Sequence, residues 1–143
     1  MSLLSGLAQQ LSERGLGVYR SDGSPYQPGE VAILLEHVPQ TPDHVVVLTL
    51  YGGAEPDSRL GYDEPSLQVR TRASDTVTSR ARCEAIRDHL HGLGPVTLLD
   101  GTLLLSSVSI QAVPVSMGQD ARGRHEHSCN FRLTVRSVTE HRV

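Results

Sequence analysis

The sequence predicts an α+β fold, a mostly antiparallel sheet packed by two helices in a single compact domain over residues 1–143. Three observations carry that prediction. Apolar side chains recur with the 3.6-residue helical period in two separate places, around residues 3–11 and 83–93. Residues 45–51, 67–73 and 128–136 instead show β-branched or two-residue alternating patterns. The order is helix, strands, helix, strands, without the regular alternation of a parallel α/β sheet. A chain of 143 residues fits one domain, and a domain of that size buries roughly 70% of the surface its unfolded chain exposes. With one Phe, four Tyr and no Trp, its core must be aliphatic.

The first helix follows from Leu3, Leu4, Leu7, Ala8 and Leu11, with Ser2 as N-cap and Gly15 and Gly17 as the stop. Val18 and Tyr19 open a short strand, and residues 20–30 hold turn chemistry in Asp22-Gly23, Pro25, Pro28 and Gly29. Residues 31–35 form a short apolar strand or helical turn, and Pro39 and Pro42 then break the chain. VVVLTLY at 45–51 is the strongest strand, apolar enough for burial on both faces. Residues 52–65, acidic and broken by Gly and Pro, read as a long exposed loop.

Alternation returns at 67–73, with Leu67, Val69 and Thr71 facing in and Gln68, Arg70 and Arg72 facing out. Ser74 or Asp75 caps a second helix running to about Leu93, its stripe made by Cys83, Ile86, Leu90 and Leu93 and supported at the start by Val77. Gly92, Gly94 and Pro95 end it. Asp100-Gly101, between residues 96–99 and 102–105, suggests a tight type I′ hairpin whose second arm continues through Val108, Ile110 and Ala112 to Pro114. The chain closes with a flexible loop (Gly118, Asp120, Arg122, Gly123, Arg124) and a strand. Cys129, Phe131, Leu133 and Val135 face in there, and Ser128, Asn130, Arg132, Thr134 and Arg136 face out.

Composition narrows the function. A net charge of −3 does not describe an independent nucleic-acid binder. All 13 cationic residues are Arg, a bias that reads first as codon usage in a GC-rich genome, with selection for bidentate carboxylate or phosphate contacts as the alternative. Cys83 and Cys129 each fall in an apolar stripe and read as reduced small hydrophobes rather than a disulfide framework. No stretch approaches a membrane span of roughly 18 apolar residues. The N-terminal segment lacks the basic leader of a signal peptide, so the chain is expected to act in cytoplasm.

No catalytic, metal or cofactor site is expected. His-x-His occurs at His89/His91 and His125/His127. On a strand the spacing aims both rings to one side, whereas on a helix it splays them by about 200°. With His37, His44 and the two cysteines these residues fall short of a ligand set at known spacing, and they read as solvated or capping histidines. Asp63-Glu64 and Glu55/Asp57 lie in one loop, where nothing would hold two carboxylates rigidly with separated pKa values. Gly52-Gly53 follows a strand but precedes no helix, so the anion-binding helix N-terminus of a phosphate loop is missing. If the strands bearing Arg70 and Arg72, and Arg132 and Arg136, are neighbours, those arginines form one basic patch suited to a subunit or partner interface.

Two segments carry a family resemblance. LQVRTRASD (67–75) with the helix RARCEAIRDHLHGL (80–93) resembles the centre of phage tail-terminator proteins, a family also described as phage minor capsid proteins and similar to the lambda tail terminator. GQDARGRHEHSCNFRLTVR (118–136) resembles that family's closing signature. With the first helix, the likeness spans nearly the whole chain. It implies a non-enzymatic virion protein of a long-tailed phage (a siphophage), assembled in the host cytoplasm, with no cofactor and no membrane partner. Six copies would form a ring at the head-proximal end of the tail, cap the tail tube protein, stop its polymerisation and offer a surface to a head-completion or connector protein. DNA would pass through an anionic ring without specific binding.

On that reading the interface residues are Arg70, Arg72, Asp120, Arg122, Arg124, Arg132 and Arg136, and charge reversal of Arg70 with Arg72 is expected to impair assembly. A head-completion or neck connector is the competing reading within the same setting. A small metal-dependent enzyme built on the His and Cys residues, and a cellular adaptor domain, compete from outside it.

Overall fold

The computed structural model describes residues 2–143 and bears out the α+β class, with two helices against an eight-stranded, mostly antiparallel sheet. Helix α1 (Leu3–Glu13) starts at Ser2, whose hydroxyl accepts the Ser5 N–H while the Ser5 hydroxyl accepts the Ser2 N–H. This capping box satisfies two backbone donors at once. Leu4, Leu7, Ala8 and Leu11 of α1 are buried.

Helix α2 (Thr76–Leu90) starts at Asp75, which accepts the Thr78 N–H at 2.8 Å. It ends three residues before Leu93, because His91 turns to extended geometry and Gly92 follows at φ +85°. Val77 does not support the buried stripe; it is 74% exposed. Ser79 takes the inward position, where Thr71 and His127 satisfy its hydroxyl. Asp75→Ala is expected to cost about 1 kcal/mol, the usual loss for an N-cap, read as a lower urea midpoint with an unchanged slope.

The strands are β1 (Ala32–Leu35), β2 (Val45–Tyr51), β3 (Tyr62–Asp63), β4 (Ser66–Ala73), β5 (Val96–Thr97), β6 (Leu103–Ser109), β7 (Val115–Gln119) and β8 (His125–Arg136). Their order is β1-β2-β4-β8-β6-β5, with β1 and β2 parallel and the other ladders antiparallel. The long strand β8 organises the sheet. Strands β3 and β4 line one flank in a single register, Tyr62 opposite Arg136 and Ser66 opposite Arg132. Strands β6 and β7 line the other flank.

The helices cover one face. There Val46, Leu48, Leu67, Val69, Cys129, Phe131 and Leu133 join the helix stripes in the main core. A small second cluster of Ala32, Val45 and Val47, with Tyr26, Leu34 and Val38, covers part of the opposite face. Burial on both faces of β2 is therefore real for Val45 through Leu48 and ends before Tyr51.

Several local expectations change. Residues 52–65 are not all exposed loop, since β3 lies within them and Arg142 and Val143 fasten this segment. Val143 N–H donates to Arg59 O (2.9 Å), Gly61 N–H donates to Val143 O (2.7 Å), and Arg142 pairs with Asp63 at 2.7 Å. Gly53 sits at φ +103°, where a Cβ would stand 2.2 Å from Glu64 O, so close backbone packing explains this glycine. The 96–105 hairpin uses a three-residue loop rather than a two-residue type I′ turn. Leu98 N–H reaches Thr102 O, and Gly101 takes the left-handed position at φ +95°. Strand β6 stops at Ser109 instead of continuing to Pro114, and Val18 makes only an isolated bridge to Ala32. The flexible loop expected at 118–124 is instead the end of β7 and a tight turn into β8.

Candidate functional site

Strands β4 and β8 are neighbours, so Arg70, Arg72, Arg132 and Arg136 do share the sheet face opposite the helices. They do not make one basic patch. Arg70 forms a two-pronged contact with Glu126, Nε to Oε1 at 3.1 Å and a terminal nitrogen to Oε2 at 3.0 Å. Arg72 is 2% exposed and donates to the carbonyls of Pro42 (2.6 Å) and Asp43 (3.2 Å). Burial lowers its pKa and the nearby Arg124 adds to the effect, while Glu126, Asp120 and Asp43 oppose them. Arg136 donates to Gly61 O and Val143 O, both at 2.9 Å, and stacks over Tyr62. Arg132 alone of the four stands exposed with no carboxylate partner among the described residues.

The β7–β8 turn is closed by its own hydrogen bonds. Asp120 Oδ1 accepts the N–H groups of Arg122 and Arg124, both at 2.9 Å, and Oδ2 accepts Arg124 Nε at 2.8 Å. Burial would raise the Asp120 pKa, yet the hydrogen bonds from Arg124 and Arg122 hold it below the ordinary carboxylate value. Arg124 is buried and also reaches Gln40 O and Asp43. Arg124 and Arg72 thus clamp residues 36–44, the connection that returns the chain from β1 to the parallel β2. Arg70, Arg72 and Arg124 face Asp43, Asp120 and Glu126, so the cluster is close to neutral. Arg122 keeps an exposed side chain.

His37 and His91 are exposed as the solvated reading expects, His89 and His125 are partly covered, and His127 departs from it. His127 is 1% exposed, with Nδ1 2.8 Å from Ser79 Oγ. His125 reaches Gln119, and His89 links α2 to Gln10 of α1. His91 occupies the C-cap position of α2, but its ring does not cap the helix: Nδ1 accepts the Ser109 N–H of β6 at 3.0 Å, and only the His91 backbone N–H bonds the helix, at Arg87 O. Among the described residues, no group of three or more His, Cys, Asp or Glu side chains is placed to hold a metal. Cys83 and Cys129 are buried with their sulfurs 3.2 Å apart. The hydrogen bond between them, together with burial, pushes the Cys129 thiol far up, so it stays protonated.

The geometry therefore offers surfaces more than chemistry: an open sheet face bearing Arg132, a turn presenting Arg122, and a bare strand edge at β7. Sequence reasoning overlooked Glu126, which neutralises Arg70, although its alternation with Ser128 and Asn130 already placed it on that face.

Comparison with protein families matches residues 10–136 to a family described as Bacteriophage tail terminator protein. Comparison with curated proteins gives no match. Among solved structures, a chain from the virion of a native gene transfer agent (GTA) particle has a similar fold. The TM-score is 0.55 at 17% identity, over 95% of this chain and 96% of that one.

Proposed function

The chain belongs to the bacteriophage tail terminator family and so has a structural role in a phage tail, and we propose that it forms a ring, of six copies, that caps the tail tube. The observation that carries this reading is the family match over residues 10–136, which takes in the last turn of α1, all of α2 and every strand. In the capped tail, loops and strand edges on one side of the ring meet the last ring of tail tube protein. The other side repeats none of those contacts, so no further tube subunit can add. That free side receives the head-completion or connector protein. The work is done by shape and surface, with no catalytic step and no cofactor.

The electrostatics suit a DNA conduit. Affinity for nucleic acid comes mainly from cations that meet phosphates. Here Arg70, Arg72 and Arg124 are occupied internally, and the chain as a whole is at −3. Of the seven side chains expected at an interface, Arg122 and Arg132 remain the free cations proposed for contact, with Arg70 at its margin. Asp120, Arg72, Arg124 and Arg136 hold the protomer together.

Electron microscopy of particles made without this protein tests the proposal. Tubes of uncontrolled, excessive length are expected, with heads left unjoined. Tails of normal length beside incomplete heads would instead identify a neck connector and overturn the capping assignment.

A further inference from the structure

Residues 101–119 contain no charged side chain, in a protein where 20% of residues are charged. Within that stretch Val108, Ile110, Val113, Val115 and Met117 are all exposed, by 41 to 59%. Strand β7 is exposed at each of its five positions and pairs on one side only, with β8. An edge strand is normally protected by charge, proline or a covering element; Pro114, with Arg80 and Arg87 bonded to the carbonyls of Pro114 and Ala112, guards only the approach to β7, and residues 115–119 themselves carry no charge.

A second exposed apolar group, Leu60, Tyr62, Val138 and Val143, is drawn together where residues 137–143 are fastened to residues 59–63. The two groups lie at opposite corners. Strand β7 pairs with the His125–Ser128 end of β8 on one flank, whereas β3 pairs with Val135 and Arg136 at the other end, on the other flank.

Two unlike patches at opposite corners fit a head-to-tail contact, in which each copy uses one patch on each neighbour; a two-fold dimer would use a single patch twice. The bordering charges are complementary. Arg132, opposite Val108 in the sheet, and Arg122, in the turn after β7, have no carboxylate partner among the described residues. Near the second patch in the chain stand the exposed carboxylates Glu55, Glu64 and Glu140, against one exposed arginine, Arg59, so that corner is acidic on balance. We infer that the β7 edge with its apolar flank, residues 108–117, is one half of the contact between copies, and that its occupant is the neighbouring copy's corner built from residues 59–62 and 138–143. This rests on the ring reading above and assigns the surfaces that would close the ring.

The test uses the full chain, alone at high concentration and mixed with tail tubes. Under oxidation, the double variant V115C/V138C should give a ladder of covalently linked oligomers, while neither single variant does. V115R/M117R should lose assembly and sediment as a monomer with an unchanged melting temperature, since both positions are exposed. A wild-type ring that the double cysteine variant fails to link, or that V115R/M117R leaves intact, overturns this contact and spares the ring. Efficient dimers from V115C alone would mean a two-fold contact and overturn the head-to-tail assignment. Wild-type chain that stays monomeric in both conditions overturns the ring reading and this contact with it.

Discussion

Arg72→Leu is expected to cost the fold about 3 kcal/mol, while Arg132→Glu costs almost nothing. Both arginines sit at outward positions of adjacent strands, so a reading from alternation alone expects equal, small effects. The difference lies in what covers them. Arg72 lies beneath the 36–44 connection and supplies donors to Pro42 O and Asp43 O. Leucine would leave both carbonyls without that donor in a poorly hydrated site, at roughly 1–3 kcal/mol each. It would also leave Asp43, Asp120 and Glu126 facing one guanidinium fewer. Urea denaturation followed by circular dichroism should show the loss directly, with a fall in melting temperature on the order of 10 °C. An Arg72→Leu protein as stable as wild type would show that the connection does not depend on this clamp. Reversing Arg70 and Arg72 together would therefore impair assembly by unfolding the protomer, so that double variant cannot report on an interface. Arg122 and Arg132 can.

What was legible in the sequence was whatever neighbouring residues decide. Both helices announced themselves, because Ser2 and Asp75 cap stripes of helical period. The strands β2, β4 and β8 did so because β-branched and alternating residues can be counted. Distant partners decide the rest. Strand β3 is two residues long and exists because the segment ending at Val143 folds against it. Strand β7, VSMGQ, has a glycine and little β-branching, and is a strand because β8 offers it an edge. Arg70 and Arg72 are equivalent by alternation and differ only because a connection some 30 residues earlier in the chain crosses one of them. His127 is the case where the signal was present: two residues before Cys129 and four before Phe131, it had to lie on the apolar face.

That position makes His127 the source of a pH-dependent loss of stability. The ring is buried between β8 and the start of α2, with Nδ1 on Ser79 Oγ, which lies 3.2 Å from Thr71 Oγ1. Its Nε2 has no hydrogen-bond partner among the described residues. Burial holds its pKa below the ordinary value, Arg80 and His125 push the same way, and Glu84 opposes them. In the unfolded chain the ring titrates near about 6.5. Below that pH the unfolded state takes up a proton that the folded state refuses, so the contribution of His127 is complete above about pH 6.5 and declines as pH falls toward the lower folded pKa. The slope in that window approaches about 1.4 kcal/mol per pH unit for one group. His89, also lowered by burial, adds a contribution of the same sign, so the measurement compares variants rather than reading wild type alone. His127→Gln keeps a hydrogen-bonding group near Ser79 and cannot titrate. It should be less stable than wild type at pH 7.5, by about 1–2 kcal/mol, and should lose much less stability between pH 6.5 and 5.5. Parallel stability profiles for the two proteins across that window would mean that protons are exchanged elsewhere and that the buried ring plays no part in the acid response.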